Sequence, residues 1–291
     1  MLKTFVLVAV AMFAFAANSL LCRMALANTD IDPASFTILR LASGAIALLF
    51  LSSYSLRFRR KSAPSERVFH GLKANASIPG GISLFFYAIF FSFAYISMST
   101  GTGALLLFGA VQLTMISAGL LNGERFKKRQ WCGFALAFTG LIILLLPSAS
   151  APSLLSGALM FIAGIAWGIY SLLGKRSASA LLSTSGNFIY ASLLCIPLTI
   201  FVAASGSEQF VFDKAGIYYA LASGVMASGC GYAVWYSALP LIKSTSAGTV
   251  QLSVPVLATI MGWGVLGEQL SLQILVAAVA TLGGIYLVIK K

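Results

Sequence analysis

The chain repeats itself, and each copy holds an odd number of membrane-length segments. Leu120-Leu121-Asn122-Gly123-Glu124, followed by an apolar stretch reaching Thr139-Gly140, returns as Gly264-Val265-Leu266-Gly267-Glu268 and a stretch reaching Gly283-Gly284. The spacing stays at 144 residues from Ala94/Ala238 to Gly140/Gly284. An earlier echo pairs Phe15-Ala16-Ala17-Asn18-Ser19-Leu20-Leu21 with Trp167-Gly168-Ile169-Tyr170-Ser171-Leu172-Leu173 at a spacing of 152, the difference falling where the first copy carries a longer polar loop. A helix that crosses a bilayer needs about 20 apolar residues. Ten windows qualify, at 4–24, 33–55, 79–99, 101–121, 129–147, 154–174, 186–205, 215–239, 245–266 and 270–289. Five spans per copy force the second copy to enter the membrane in the opposite sense to the first. The chain is therefore expected to be an all-α integral membrane protein of ten transmembrane helices, arranged as two inverted five-helix repeats over residues 1–147 and 154–291. A pseudo-two-fold axis then lies in the membrane plane, and Asn18 and Tyr170 are expected on opposite sides of the midplane.

Composition excludes an ordinary soluble domain, since 59% of residues are hydrophobic and 9% charged, against roughly a quarter charged in soluble proteins. The net charge of +12 does not mark a nucleic-acid partner, because the basic residues lie in short connectors between apolar runs. They set orientation instead. With the N-terminus inside, Lys3, the connector from Arg57 to Lys73, Arg125, Lys127, Lys128, Arg129, Lys175, Arg176, Lys243, Lys290 and Lys291 share one side, sixteen of the nineteen Lys and Arg. Cytoplasmic loops retain positive charge, so both termini are predicted to be cytoplasmic. The opposite connectors hold Asp30, Asp32, Glu208, Asp213 and Glu268.

Catalytic and metal chemistry find few carriers. Cys22, Cys132, Cys195 and Cys230 lie in or beside apolar segments with no CxxC pair, and read as buried free thiols. The single histidine, His70, falls in the most basic loop and reads as solvated. No cofactor is expected. Lys3 and the apolar run to Ala17 resemble a cleavable signal peptide, but the internal echo at 155–175 makes this segment the first span.

Beyond the ten spans in two halves, further residues carry a family resemblance. Arg40 inside Ile38-Leu39-Arg40-Leu41-Ala42, Pro255 upstream of Gly267-Glu268, and the glycine-rich following spans resemble the EamA family of the drug/metabolite transporter superfamily. The second half fits better, because Val111 and Asn122 of the first copy stand where the second has Pro255 and Leu266. The resemblance implies an exporter of amino acids or related metabolites in a bacterial cytoplasmic membrane.

Candidate site residues are the polar interruptions of apolar helices. Asn18, Gln112, Asn187, Gln251 and Ser253 would lose hydrogen bonds if they faced lipid, so they point inward, as helix-to-helix glue or as the lining of a path. Gln251 leads, because Thr249, Gln251, Ser253 and Pro255 cluster in span nine, where a proline frees a backbone carbonyl. Arg40 is the one charge well inside a span; such a charge is costly unless it meets water, protein carbonyls or an anion. It either receives a substrate carboxylate or ties span two to a neighbour. Arg23 lies near a span end and can snorkel. Trp167 and Tyr232 lie deep enough to wall a site for amphipathic solutes, whereas Tyr236 reads as an interfacial anchor. Gly229 and Gly231, around Cys230, and Pro255 are candidate hinge positions. No carboxylate falls mid-span, which argues for facilitated diffusion or exchange, or for coupling through another group; the two Gly-Glu pairs read as turns. The function expected is a secondary transporter that moves a small organic metabolite, outward, by alternating access. The alternatives are an uncoupled small-solute channel and, on a poor inventory, an intramembrane enzyme. Expected partners are the small-molecule substrate and the lipid bilayer; small-residue faces at Gly164/Gly168 and Gly133/Gly140 leave a homodimer open.

Overall fold

A computed structural model of the chain describes residues 2–59, 65–97, 100–145, 153–205, 210–266 and 272–289. Gly267 and Glu268, the second Gly-Glu pair, lie outside the described residues. The described elements are helical: α1 Leu2–Asn28, α2 Pro33–Arg59, α3 Ser65–Asn75, α4 Ile78–Tyr95, α5 Thr100–Leu121, α6 Lys128–Leu145, α7 Leu154–Gly174 and α8 Ala180–Ser205. These are followed by α9 Lys214–Ala222, a π-helical segment Ser223–Cys230, α10 Gly231–Ala238, a 3₁₀ turn Leu239–Leu241, α11 Ser244–Val250, α12 Ser253–Leu266 and α13 Leu272–Ile289.

Among the described residues seven stretches are long and apolar enough to cross a membrane: Leu2–Asn28, Pro33–Ser55, Ile78–Tyr95, Leu154–Gly174, Ala180–Ile200, Lys214–Leu241 and Ser244–Val265. Shorter apolar stretches, Leu106–Leu121 and Val279–Val288, come from α5 and α13. α6 begins with the polar run Lys128-Arg129-Gln130. The molecule is built inside out relative to a soluble protein. Phe5, Phe13, Ile46, Phe50, Ile200 and Leu272 are exposed, while Asn18, Arg40, Gln112 and Gln251 are buried. That distribution stabilises a chain whose solvent is lipid and whose polar groups must find partners within the protein.

Local chemistry sets the helix ends. Ser77 caps α4 by accepting from Gly80 N at 3.1 Å, and Asp213 caps α9 by accepting from Gly216 N at 2.8 Å. α5 stops at the first Gly-Glu pair. Gly123 has a φ of +85°, which only glycine adopts without strain; Gly123 N donates to Leu120 O and Glu124 N to Gly119 O, closing the last carbonyls in a Schellman arrangement. The long polar loop of the first copy contains a helix, α3, which the apolar-window reading does not contain. It rests on α8, where Ser183 Oγ donates to Asn75 O at 2.9 Å. His70 is exposed, whereas among the thiols Cys22 and Cys195 are buried and Cys132 is exposed, contrary to the expectation of four buried groups.

Packing between the halves follows an exchange rule. α6 lies on α13, α2 on α8, and α5 on α11. The contact of α4 with α7 has a counterpart in α1 with α9 and α10; that of α5 with α7 has one in α1 with α12; and that of α4 with α8 has one in α2 with α9 and the π segment. Close approach at α6 and α13 depends on missing side chains, since a Cβ on Gly133 would fall 2.7 Å from Gly284 O.

Candidate functional site

Span eight does not continue as one α-helix. From Ser223 to Cys230 it widens to i→i+5 bonding, seen at its end where Gly231 N reaches Met226 O. Widening brings residues five apart onto one face, so Ser223 Oγ and Ser228 Oγ both donate to Asn18 Oδ1 of α1, at 2.6 and 3.2 Å. An α-helix would turn these hydroxyls away from each other. Gly224 and Gly229 make the widened turn fit. A Cβ on Gly224 would strike Arg40 O and Ser43 Oγ, and one on Gly229 would lie 2.9 Å from Gly224 O, with Gly44 of α2 beyond.

Arg40 is fully buried where α2 meets this segment. Its Nε donates to Ser228 Oγ at 3.0 Å and its Nη2 to Tyr232 Oη at 2.9 Å. Its guanidinium carbon lies 5.2 Å from the ring centroid of Tyr87 and 5.3 Å from that of Phe91, a geometry in which the ring faces attract a cation. Tyr232 Oη donates onward to Tyr87 Oη at 3.1 Å, and Asn18 Nδ2 reaches the same oxygen at 3.4 Å. Nη1 makes no hydrogen bond. Arg40 is thus tied to side chains of the second half, not to backbone carbonyls.

A ring cluster joins this polar group to span nine. Trp167 of α7 stands 4.6 Å from Tyr232, 4.9 Å from Tyr87 and 5.1 Å from Phe15, centroid to centroid. Its Nε1 donates to Gln251 Oε1 at 2.7 Å. Gln251 occupies the break between α11 and α12, ahead of Pro255, and its Nε2 donates to Ala247 O at 3.1 Å and to Met115 Sδ of α5 at 3.3 Å. Span nine is therefore two helices, and Val254 N takes up Gln251 O at 3.0 Å, the carbonyl beside the proline.

The structure brings Asn18, Arg40, Trp167, Tyr232 and Gln251 into one connected set. Gln112 lies beside it on α5, with Nε2 3.4 Å from Gly248 O and a buried Oε1 that has no partner. Ser253 is outside the set, because its hydroxyl returns to Val250 O at 2.8 Å. Asn187 is a strut: Ser77 N donates to its Oδ1 at 3.0 Å and its Nδ2 reaches Tyr236 Oη at 3.4 Å. Tyr236 is no interfacial anchor; it is buried and donates to Tyr170 O at 2.9 Å. Arg23 is partly buried, with Nη1 3.5 Å from Tyr95 O. Gly231 packs on Ala14 of α1, 2.7 Å from where a Cβ would lie. Ser223 and Phe15 are members that a search for polar interruptions does not single out. Among the described residues no group of three or more His, Cys, Asp or Glu could hold a metal.

Glu124 forms a second junction between the halves, beyond the end of α5. It accepts from Ser244 N at 2.9 Å, Thr245 N at 3.0 Å and Thr245 Oγ1 at 2.8 Å, at the start of α11. Lys175, just past α7, pairs with it at 3.3 Å and donates to Ser244 Oγ at 2.9 Å. Partial burial disfavours the carboxylate, but the Thr245 and Ser244 amides, the Thr245 hydroxyl and the Lys175 charge outweigh it and hold the group at about 2.

A helical molecule with membrane-length apolar helices and a buried polar seam fits a multi-pass membrane protein, and its similarity to known proteins makes that a transporter. The sequence profile of the EamA-like transporter family matches residues 2–146 and again 155–290, and the chain belongs to that family, within the drug/metabolite transporter superfamily. A Pseudomonas aeruginosa protein, uncharacterized protein PA1977, is 48% identical over 99% of this chain and 94% of its own length. The threonine/homoserine exporter RhtA of Escherichia coli is 25% identical over 88% of this chain and 82% of its own. A crystal structure sharing 18% identity superposes with a TM-score of 0.70 over 96% of this chain and 98% of that one, which speaks to the fold.

Proposed function

We propose that this transporter is a ten-span secondary carrier of two inverted repeats that moves a small organic solute, an amino acid or a related compound, outward across a bacterial cytoplasmic membrane by alternating access. The solute would bind at the seam lined by Asn18, Arg40, Trp167, Tyr232 and Gln251, with Gln112 adjoining. The observation that carries this reading is the buried polar set itself. Its members come from α1, α2 and α4 on one side and from α7, the π segment, α10 and the α11–α12 break on the other. Motion of one half against the other must open it. The exchange rule in the packing supports a two-fold relation between the halves, and the name of RhtA supports amino-acid export.

In this reading the Glu124 junction is the closed cytoplasmic end, released when α7 and α11 move away from the α5–α6 turn. Purified protein in liposomes tests the reading. Flux of labelled amino acids is expected to saturate with concentration; flux proportional to concentration without limit would mark a pore, and passage of no member of a broad amino-acid and metabolite panel would remove the carrier reading.

A further inference from the structure

The Arg40 guanidinium is supplied with hydrogen-bond acceptors on two of its three nitrogens and with no negative charge. Ser228 and Tyr232 are neutral, as are Tyr87, whose ring and hydroxyl both border the cation, and Phe91, and Nη1 has no hydrogen-bond partner although it is buried. Among the described residues the one ion pair is Lys175 with Glu124, on the other junction. A cation at this depth is costly unless a partner meets it. Arginine is the side chain whose planar fork matches a carboxylate in bidentate fashion. The Tyr87 ring lies 5.2 Å from the guanidinium carbon, and behind it stands Trp167, 4.9 Å from Tyr87 and 5.1 Å from Phe15, centroid to centroid.

We infer that Arg40 is the carboxylate-binding residue of the transported solute, received on Nη1 and Nη2, and that the solutes accepted are small carboxylates whose apolar body packs among Phe15, Tyr87 and Trp167. This deepens the carrier reading and rests on it for the word transported, not for the binding. Nη2 carries a second N–H besides the one given to Tyr232 Oη, so the carboxylate meets the same guanidinium by which α2 holds the π segment and α10, and occupancy of the site bears directly on the fastening of the seam.

The test uses full-length protein in detergent, read by thermal unfolding and by tryptophan fluorescence, since Trp167 borders the site. The probes are 3-phenylpropionate, L-phenylalanine and L-threonine, each set against its carboxamide, which keeps shape and loses the charge. The acids are expected to bind saturably and to raise the unfolding temperature, and the amides to do neither. Arg40→Gln is expected to weaken acid binding by more than about thirtyfold, as loss of one partner of a buried charge pair does, and Arg40→Lys to retain a weaker response. Equal binding of acids and amides, no binding of either, or acid binding that persists in Arg40→Gln would overturn the assignment. Should Arg40→Gln fail to fold, the acid-to-amide comparison on the unaltered protein decides alone. Flux separates this claim from the carrier reading: acids that bind at Arg40 yet never cross the liposome membrane retire the carrier and leave the site, whereas saturable flux indifferent to the carboxylate retires the site and leaves the carrier.

Discussion

Gln251 and Glu124 each hold several groups at once, and so their removal should cost more than one contact. Gln251 gives its oxygen to Trp167 and its nitrogen to Ala247 and Met115. Gln251→Ala leaves the buried Trp167 N–H unpaired and should lower stability by about 1–3 kcal/mol, measured by thermal unfolding in detergent; an unchanged midpoint would mean that the two halves are not joined there. Glu124 is an acid-side contributor. Its carboxyl, ordinarily near 4.5, is held at about 2 in the folded protein, so the unfolded chain binds its proton first as pH falls. The stabilisation, on the order of 1–2 kcal/mol after solvent screening at this partly exposed junction, is complete above about pH 4.5 and lost as pH drops toward 2. Glu124→Gln should flatten that acid limb and leave the neutral range without added pH dependence. Asn18, Arg40, Trp167, Tyr232 and Gln251 are legible in the sequence because a polar or large aromatic group in an apolar helix must face protein. Ser253 meets the same criterion and proves self-satisfied, since a hydroxyl can return to its own helix. The placement of Tyr236 is not legible, because nearness to a span end does not say which way a ring points.

The π segment is the element on which the buried polar set depends. Its i→i+5 spacing puts Ser223 and Ser228 on one acceptor, a pattern invisible to a search at helical period, and that is why the sequence alone does not mark Ser223. The glycines at 229 and 231 stand out in the sequence as hinge candidates, and the structure shows close contacts at both, so alanine there reports packing along with motion. Gly224 is the sharper probe. Gly224→Ala pushes a methyl into Arg40 O and Ser43 Oγ and should destabilise by about 1–3 kcal/mol. Gly109→Ala in α5, where a methyl meets nothing within 4 Å, should be neutral. Equal effects in an unfolding assay would contradict the close α2 contact. The break in span nine is readable from Pro255, although it falls at Gln251-Leu252, ahead of the ring, since proline is tolerated in a first helical turn. α3 is not readable as a span because it is short and polar, and apolar windows report burial in lipid rather than helicity.

At the scale of the molecule, the duplication seen in the sequence has a packing counterpart in the exchange of contacts between halves. Among the described residues seven stretches meet the length and apolarity of a span where the apolar windows predict ten, and α5 and α13 add two shorter apolar stretches. Orientation is a separate prediction. In a background without the four native cysteines, a membrane-impermeant maleimide should label Asp30→Cys and Asp213→Cys in intact cells, and Arg125→Cys and Ala178→Cys only after permeabilisation. Labelling of both pairs from one side would contradict the inverted arrangement. Counterflow probes whether the buried seam is the solute site of an alternating-access carrier. Liposomes loaded with unlabelled L-threonine or L-phenylalanine and diluted into a trace of the labelled compound should take up label above its equilibrium level and then release it, and Arg40→Gln should abolish the overshoot. Label that rises to equilibrium without overshoot, for each solute that crosses at all, would rule out alternating access at this seam.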